Sequence, residues 1–369
     1  MDFPVFFPRS WVPPHCPNPN CIHHNTSGRP WPFKRIGTYR RHQPPFRIQR
    51  FLCKTCRRSF SSQTFSQSYW QKLPLLDLLI FMKTIGCMSN RQIARDLHVA
   101  PSTIDRHIAR LGRHCMLFHI QQLEGHHDFE TSVVDGFESF EHSQYFPFHH
   151  NLAAEPESHL FIYYNDSPMR RKGRMTDGQK NRRKEIEQTI GRPDPKAIEK
   201  DMQELLGFVH KGKEKVTVYS DDHPAYRRSI GGLPMEINHL VTPGKEHRDQ
   251  HNRLYPVNLL DLLIRHSSAN HKRETIAYSK RRQASAERLA ILLVWRNYIK
   301  GVSEKQRGSP TPAMLRGMLD RSLSVAEVLG RRIFRSMVEL PERWARYYDR
   351  DIETPVLGKQ RRHELSYAY

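Results

Sequence analysis

The segment Thr131–Phe137 has the sequence TSVVDGF, in which one carboxylate, Asp135, interrupts an apolar and β-branched run. Such a run is typical of a buried strand. A charged side chain in that setting costs free energy of desolvation unless it is paired or binds a metal. Asp135 is therefore the first candidate for a functional acid.

The sequence around this strand predicts a mixed α/β sheet with flanking helices. Residues 144–152 and 159–164 continue an antiparallel meander, and two short apolar strands follow at 216–220 and 235–241. Apolar residues recur with helical spacing at 195–209, 224–230, 258–267 and 284–300. We predict that residues 169–211, between the meander and the fourth strand, form a helical insertion.

The length of 369 residues suggests two or three domains of roughly 100–200 residues each. Composition divides the chain into four segments. Residues 1–67 are basic, proline-rich and contain four of the six cysteines, and residues 68–125 have a helical pattern. Residues 126–301 form the predicted α/β core, and residues 302–369 a helical C-terminal extension.

The charge of the chain points to a polyanionic partner. Lys and Arg number 59 against 38 Asp and Glu, which gives a formal net charge of +21. Between residues 3 and 76 there are 12 Lys or Arg and no acid, whereas a surface charged only for solubility would mix both signs. Basic side chains gain affinity for nucleic acid by releasing counterions from its phosphates. We therefore expect a nucleic-acid partner.

The sequence gives no indication of a membrane or an export route. It contains no run of 18 apolar residues, and its first residues lack the basic start and apolar helix of a secretory signal. We expect a cytoplasmic protein with no membrane partner and with reduced cysteines.

Four of the cysteines form two short pairs, Cys16–Cys21 and Cys53–Cys56, with 31 residues between the pairs. Two such knuckles supply the four soft ligands that Zn²⁺ takes in a closed structural site. Three nearby histidines are alternative ligands, namely His15, His23 and His24. The ribbon between the knuckles would present basic groups to DNA phosphates, among them Arg40, Arg41 and Arg47.

The stretch from Ser89 to Ile108 has the spacing of a helix-turn-helix. Ser89 or Asn90 is suited to begin the first helix, and Pro101 to begin the second. The second helix of this motif commonly enters the major groove. Its predicted DNA contacts are Ser102, Thr103, Arg106, His107 and Arg110. The alternative is an ordinary helical hairpin.

Asp221 directly follows the apolar strand at 216–220, and Asp222 is next to it. Taken alone, Asp221 could equally be a turn or helix-cap residue.

The ordered set of features resembles the DDE-type transposases of bacterial insertion sequences over about residues 10–300. The set comprises a cysteine ribbon, a helix-turn-helix, an aspartate on a first strand and a strand followed by Asp221 with Tyr226 five residues on. The resemblance implies an RNase H-like core with three acids. Asp135 matches the first, on the first strand, and Asp221 the second, after the fourth.

The third acid of that family lies on a helix after the fifth strand, often as Asn-x-x-Glu-x-x-x-Arg. Here Asn258, Asp261 and Arg265 have that spacing and share one helical face, with Asp in place of Glu. Asp261 is therefore the expected third acid, and the alternatives are Glu274, Asp222 and Glu287.

The resemblance implies a two-metal strand-transfer enzyme. Asp135, Asp221 and Asp261 would bind Mg²⁺ or Mn²⁺. The partners would be target DNA and the inverted repeats at the ends of the insertion sequence. A nucleoid-associated homo-oligomer would bind both. Arg265, Lys272, Arg273 and Lys280 would contact the DNA near the acids. A domesticated, inactive DNA-binding regulator and a nuclease that cuts without joining are the alternatives.

Overall fold

The computed structural model describes residues 7, 10–26 and 29–357. The N-terminal segment is an antiparallel three-stranded sheet of β1 (Phe33–Arg40), β2 (Arg47–Cys53) and β3 (Ser59–Ser61). Its small core joins the cysteines to aromatic side chains, chiefly Trp31, Phe51, Phe60 and Phe65. Because this core contains so few apolar groups, a metal bound by the cysteines would contribute much of the stability of the module.

Three helices follow, α1 (Leu76–Ile85), α2 (Asn90–Asp96) and α3 (Pro101–Leu123). Pro101 occupies the first turn of α3, as the sequence pattern predicts. The turn before it includes His98 at φ 51°, a left-handed conformation that reverses the chain. Ile93 of α2 and Ile104 of α3 are completely buried where the two helices meet.

The centre of the molecule is a mixed five-stranded sheet. Its strands are β4 (Thr131–Glu141), β5 (Phe146–Ala154), β6 (Phe161–Pro168), β7 (Lys215–Ser220) and β8 (Glu236–Val241). Their spatial order is β6-β5-β4-β7-β8, with β4, β5 and β6 antiparallel and with β7 and β8 parallel to β4. The predicted meander and the two later strands are thus present.

Helices cover both faces of the sheet and fill the connections. The predicted insertion contains α4 (Asp177–Ile190), which buries no side chain, and α5 (Ala197–Val209), which packs on β6. α6 (Pro224–Ile230) follows β7, and α7 (Tyr255–Ser267) packs against β4. α8 (Arg282–Val294) continues into a π-helical turn at Trp295–Ile299.

The helix-turn-helix and the sheet share one hydrophobic core. α3 packs closely on α8 because Gly112 has no side chain, and a Cβ there would lie 2.4 Å from the backbone oxygen of Glu287. Farther along α3, His119 binds the hydroxyl of Tyr298 and the carbonyl of Ile162 at 2.7 and 2.8 Å. The second half of α3 is therefore a core helix of the α/β unit.

Up to residue 357, where the described residues end, the C-terminal extension contains less helix than the sequence predicts. Its α-helices there are α9 (Pro312–Leu315), α10 (Val325–Val328) and α11 (Glu342–Asp349), joined by irregular chain and a 3₁₀ turn at Arg335–Met337. α11 inserts Trp344, which stacks on Tyr163 and donates to the carbonyl of Tyr164 at 2.8 Å. Packing on the sheet therefore orders this extension. The described helices include none that is long and apolar enough to cross a bilayer.

Candidate catalytic and metal sites

The four predicted zinc ligands come together in the N-terminal module. The sulfur atoms of Cys16, Cys21, Cys53 and Cys56 all lie within 4.8 Å of one another. Cys16 and Cys56 are 3.7 Å apart and Cys21 and Cys53 3.9 Å apart, much too far for disulfide bonds. Tetrahedral Zn²⁺ with Zn–S bonds of about 2.3 Å separates its sulfurs by about 3.8 Å. The cluster therefore fits structural zinc.

The histidines beside this cluster are not part of the ligand set. His15 and His24 bind the Cys16 carbonyl through Nδ1, at 3.0 and 2.8 Å. The Nε2 of His23 is 3.0 Å from the Thr55 hydroxyl. These contacts fix the knuckles from outside, so the predicted alternative of a histidine replacing a cysteine is wrong.

The sheet brings Asp135 and Asp221 to the same level of neighbouring strands. β4 and β7 run parallel and pair as far as Val133 with Tyr219. Continuing that register by two residues sets Asp135 beside Asp221, where β7 ends. A glycine follows Asp135 because a Cβ at Gly136 would lie 2.1 Å from the backbone oxygen of His150. The close approach of β5 therefore restricts the residue next to the acid.

Asp261 approaches from α7, the helix that packs on β4. It is half-buried and accepts a 2.9 Å ion pair from Arg265, one turn along the same helix. The Arg265 guanidinium also lies 5.4 Å from the centre of the Phe137 ring, two residues beyond Asp135. The three aspartates thus lie around the middle of β4, at the level where β7 ends.

The electrostatics of Asp135 reflect this arrangement. Burial raises its pKa to about 7, and the negative charges of Asp221 and Asp261 add to the rise. The backbone amide of Gly136 and the charge of Arg248 oppose it. The buried Tyr226 hydroxyl, on α6, has a pKa well above its usual value because of burial and of the nearby Asp135 and Asp221. The spacing of Tyr226 from Asp221 indicated this tyrosine, whereas no sequence pattern pointed to Arg248.

The aspartates are less tightly grouped than the cysteines. Within the described ranges, only the cysteine cluster has all its ligand atoms within 4.8 Å. Among the alternative acids, Asp222 and Glu274 are exposed. Glu287 is 1% exposed and pairs with Arg350 at 3.1 Å and Arg113 at 3.9 Å. Glu287 is therefore already paired with two guanidinium groups, and it is the least accessible of the three alternative acids.

The predicted DNA contacts on α3 divide into two groups. Ser102, Thr103 and Arg106 lie on the outer side of its first turns. His107 is buried, with Nδ1 2.6 Å from the Asp77 carboxylate, and Arg110 donates to the Gln67 carbonyl at 2.9 Å. Burial also lowers the pKa of Arg110 to about 10. The predicted roles of His107 and Arg110 at a DNA groove are wrong because both side chains hold α3 to the rest of the protein.

The other predicted basic contacts also differ in accessibility. Arg41 donates to Gln63 Oε1 at 2.9 Å and to the Gln71 carbonyl at 3.1 Å, so its guanidinium is engaged within the protein. Arg265 is likewise committed to Asp261. The predicted contacts that are exposed on the ribbon and beside α7 are Arg40, Arg47, Lys272, Arg273 and Lys280.

The solved structures that resemble this chain are distant. No family model and no curated protein matches the chain. A chain of the cryoEM structure of the simian T-cell lymphotropic virus intasome in complex with PP2A regulatory subunit B56 gamma is 13% identical, with a TM-score of 0.23. The match covers 53% of this chain and 58% of that one, so the chain spans little more than half of its neighbour.

Proposed function

We propose that this protein is a DNA transposase with an RNase H-like core, cutting and joining DNA strands with divalent metal. The convergence of three aspartates on the middle of β4, where β7 ends, carries the proposal. Counted from β4, Asp135 lies on the first strand of the sheet, Asp221 after the fourth, and Asp261 on a helix after the fifth. That is the order which the resemblance to DDE-type transposases requires.

The three aspartates would hold Mg²⁺ or Mn²⁺. Their oxygens are the hard ligands that these ions prefer, and their mutual repulsion at Asp135 is what a bound cation relieves. When bound, two such ions activate the attacking oxygen and stabilise the leaving one in phosphoryl transfer. Tyr226 packs beside Asp135 and restricts its carboxylate, while Arg265 orients Asp261.

The DNA-binding surfaces would position the substrate. Ser102, Thr103 and Arg106 are accessible for contacts in a major groove. Arg40 and Arg47 on the ribbon would bind phosphates of the same duplex. The substrates would be the ends of a mobile element and a target duplex, bound by a homo-oligomer of the bacterial nucleoid.

A catalytically inactive DNA-binding regulator is the second candidate. The ion pair of Asp261 with Arg265 favours it, because a carboxylate neutralised by a guanidinium is a weaker metal ligand. A nuclease of the same fold would cut without joining.

The test is cleavage and strand transfer on a labelled duplex that carries the element's end, with Mg²⁺ or Mn²⁺. Wild type should cut and join, and Asp135→Asn and Asp221→Asn should lose both activities while still binding DNA. Asp261→Asn, Glu274→Gln and Asp222→Asn identify the third acid, and Asp320→Asn, at an exposed residue outside the candidate set, is the matched control. Binding without cleavage by wild type would instead support the regulator, and cleavage without joining the nuclease.

Stability supplies a second readout for Asp135. Its folded pKa is raised, so in metal-free protein ionisation costs stability progressively as pH rises from about 4 to 7. At higher pH, Asp135→Asn should raise the free energy of unfolding by roughly 1–3 kcal/mol, after allowance for partial exposure. Asp222→Asn should leave it unchanged.

A further inference from the structure

Ile276 is the most exposed large apolar side chain of the described residues, at 99%. It lies in the segment 268–281 that connects α7 to α8, which we call the α7–α8 loop. A single exposed aliphatic residue is common on protein surfaces and by itself indicates nothing. Ile276 differs from such residues in the hydrogen bonds that hold its loop and in the charged side chains around it.

The α7–α8 loop is held by hydrogen bonds on both sides of Ile276. The Thr275 hydroxyl donates to the Ala269 carbonyl and accepts from the Ala277 amide, both at 2.9 Å. Asn270 donates to the Ser279 hydroxyl at 2.9 Å, which joins the two ends of the loop. These bonds present the side chain to solvent.

Positive charge flanks the exposed side chain. Lys272 and Arg273 precede it and Lys280 follows, all exposed, while Glu274 is the one acid of the segment. The Lys280 ammonium lies 3.5 Å from the centre of the Tyr278 ring, which keeps it at the edge of the loop. The same surface on a second copy of the chain would carry the same positive charges and repel this one. The surface therefore fits a polyanion better than it fits a second copy of the chain.

The loop runs along β4, from Phe137, two residues beyond Asp135, to the end of the strand. At its base, the His271 ring is 5.1 Å from the ring of Phe137, which Arg265 also contacts. At its far end, Tyr278 donates to the His142 carbonyl at 2.9 Å, next to the end of β4. Both ends are thus fastened to the strand that carries Asp135.

We propose that Ile276 inserts between adjacent base pairs of duplex DNA bound at the aspartates and unstacks that step. The inference rests on the proposed function for the presence of DNA at this site. Apolar wedges flanked by basic side chains unstack base steps in this way, because phosphate contacts hold the duplex against the wedge. Unstacking beside the aspartates would expose the strand that is to be cut.

The experiment uses the full-length protein and a duplex selected from a random-sequence pool, with 2-aminopurine placed at successive positions. Measurements are made without added Mg²⁺ or Mn²⁺ and without a chelator, so that no cleavage takes place and the cysteine cluster keeps its zinc. Wild type should raise the fluorescence severalfold at one or two neighbouring positions. Ile276→Ser should bind with nearly unchanged affinity, since lost contacts and saved unstacking offset each other, but lose most of the rise.

Matched variants separate the wedge from general effects. Ile276→Leu should keep the fluorescence rise, as should Leu315→Ser, which removes an exposed aliphatic side chain on α9. Lys272→Gln should lower the affinity for DNA and make that affinity less dependent on salt, but the fluorescence rise at saturating protein should remain. No rise with wild type, or an undiminished rise with Ile276→Ser, would overturn the proposal. A change of oligomeric state in Ile276→Ser without DNA would overturn it in favour of a protein contact.

The two proposals fail separately. A fluorescence rise without metal-dependent cleavage leaves the wedge standing and rejects the enzyme. Cleavage without a rise at any position rejects the wedge and leaves the enzyme standing.

Discussion

The Nε2 of His24 lies 2.7 Å from the hydroxyl of Ser336, across 312 residues of sequence. Its Nδ1 binds the Cys16 carbonyl at 2.8 Å, and a carbonyl can only accept, so Nδ1 carries the proton and Nε2 accepts from Ser336. Phe334, two residues before Ser336, packs edge-on against His15 and Phe65. The cysteine module is therefore fastened to the C-terminal extension.

Removing the metal should loosen both partners of this contact. The core of the module is too small to persist without its ligands joined, so a chelator or Cys53→Ser should release residues 332–337 as well. The measurements are zinc content and hydrogen exchange across that segment. Cys87→Ser, outside the cluster, is the control and should retain zinc and protection. Unchanged exchange at residues 332–337 after metal removal would contradict this coupling.

Two arginines one turn apart on α3 should respond in opposite ways to substitution. Arg106 is exposed and donates to the carbonyl of Ser102 in its own helix, at 3.1 Å. Arg106→Ala should weaken DNA binding and reduce its salt dependence, with little effect on stability. Arg110→Ala should leave the Gln67 carbonyl without its donor and lower the free energy of unfolding by about 1–3 kcal/mol.

Binding isotherms at several salt concentrations and denaturant unfolding measure these two effects. Equal losses of stability in both variants would contradict the assignment of Arg106 to the surface and Arg110 to the interior.

The strands and most of the helices of the core could be predicted from the sequence, because period-2 and period-3.6 apolar patterns report local structure. The cysteine spacing likewise predicted which sulfurs meet. Accessibility on α3 could not be predicted in the same way. A helix-turn-helix motif fixes the contact between α2 and α3, but His107 is buried by Asp77 on α1, which the motif does not include.

The acids show a similar limit. Position on a strand identified Asp135, and position after a strand identified Asp221. In the sequence, Glu287 looks like a catalytic acid because it lies on an amphipathic helix. In the structure it is buried between Arg113 of α3 and Arg350 of the C-terminal extension. Its partners are more than 60 residues away in sequence, so no local pattern reports them.

Gly112 sets the spacing between α3 and α8. Its substitution by Ala would place a Cβ within 2.4 Å of the Glu287 backbone, which cannot move without bending α8. We expect Gly112→Ala to lower the free energy of unfolding by about 2 kcal/mol or more. The matched control is Gly178→Ala on α4, where nothing lies within 4 Å and helix propensity should give a gain of up to about 1 kcal/mol. Equal effects in denaturant unfolding would show that the helices are not in close contact.

Buried neutral histidines should make the protein lose stability in mild acid. Burial lowers the pKa of His119 to about 4, and the pKa values of His114, His149 and His150 are likewise near 4. Below about pH 6.5, histidines in the unfolded chain bind a proton, whereas these four histidines in the folded protein do not. The free energy of unfolding is therefore highest above that pH and falls as the pH decreases towards 4, by up to about 2 kcal/mol per histidine at about pH 5.

His119→Gln tests this effect at one position. The glutamine can still donate to the Ile162 carbonyl and accept from Tyr298, but it does not titrate. Denaturant unfolding between about pH 7 and 5 should therefore show a shallower loss for His119→Gln than for wild type or the exposed control His251→Gln. Parallel curves for all three would mean that His119 is protonated in the folded protein and that its contacts with α3 and the sheet differ from those described.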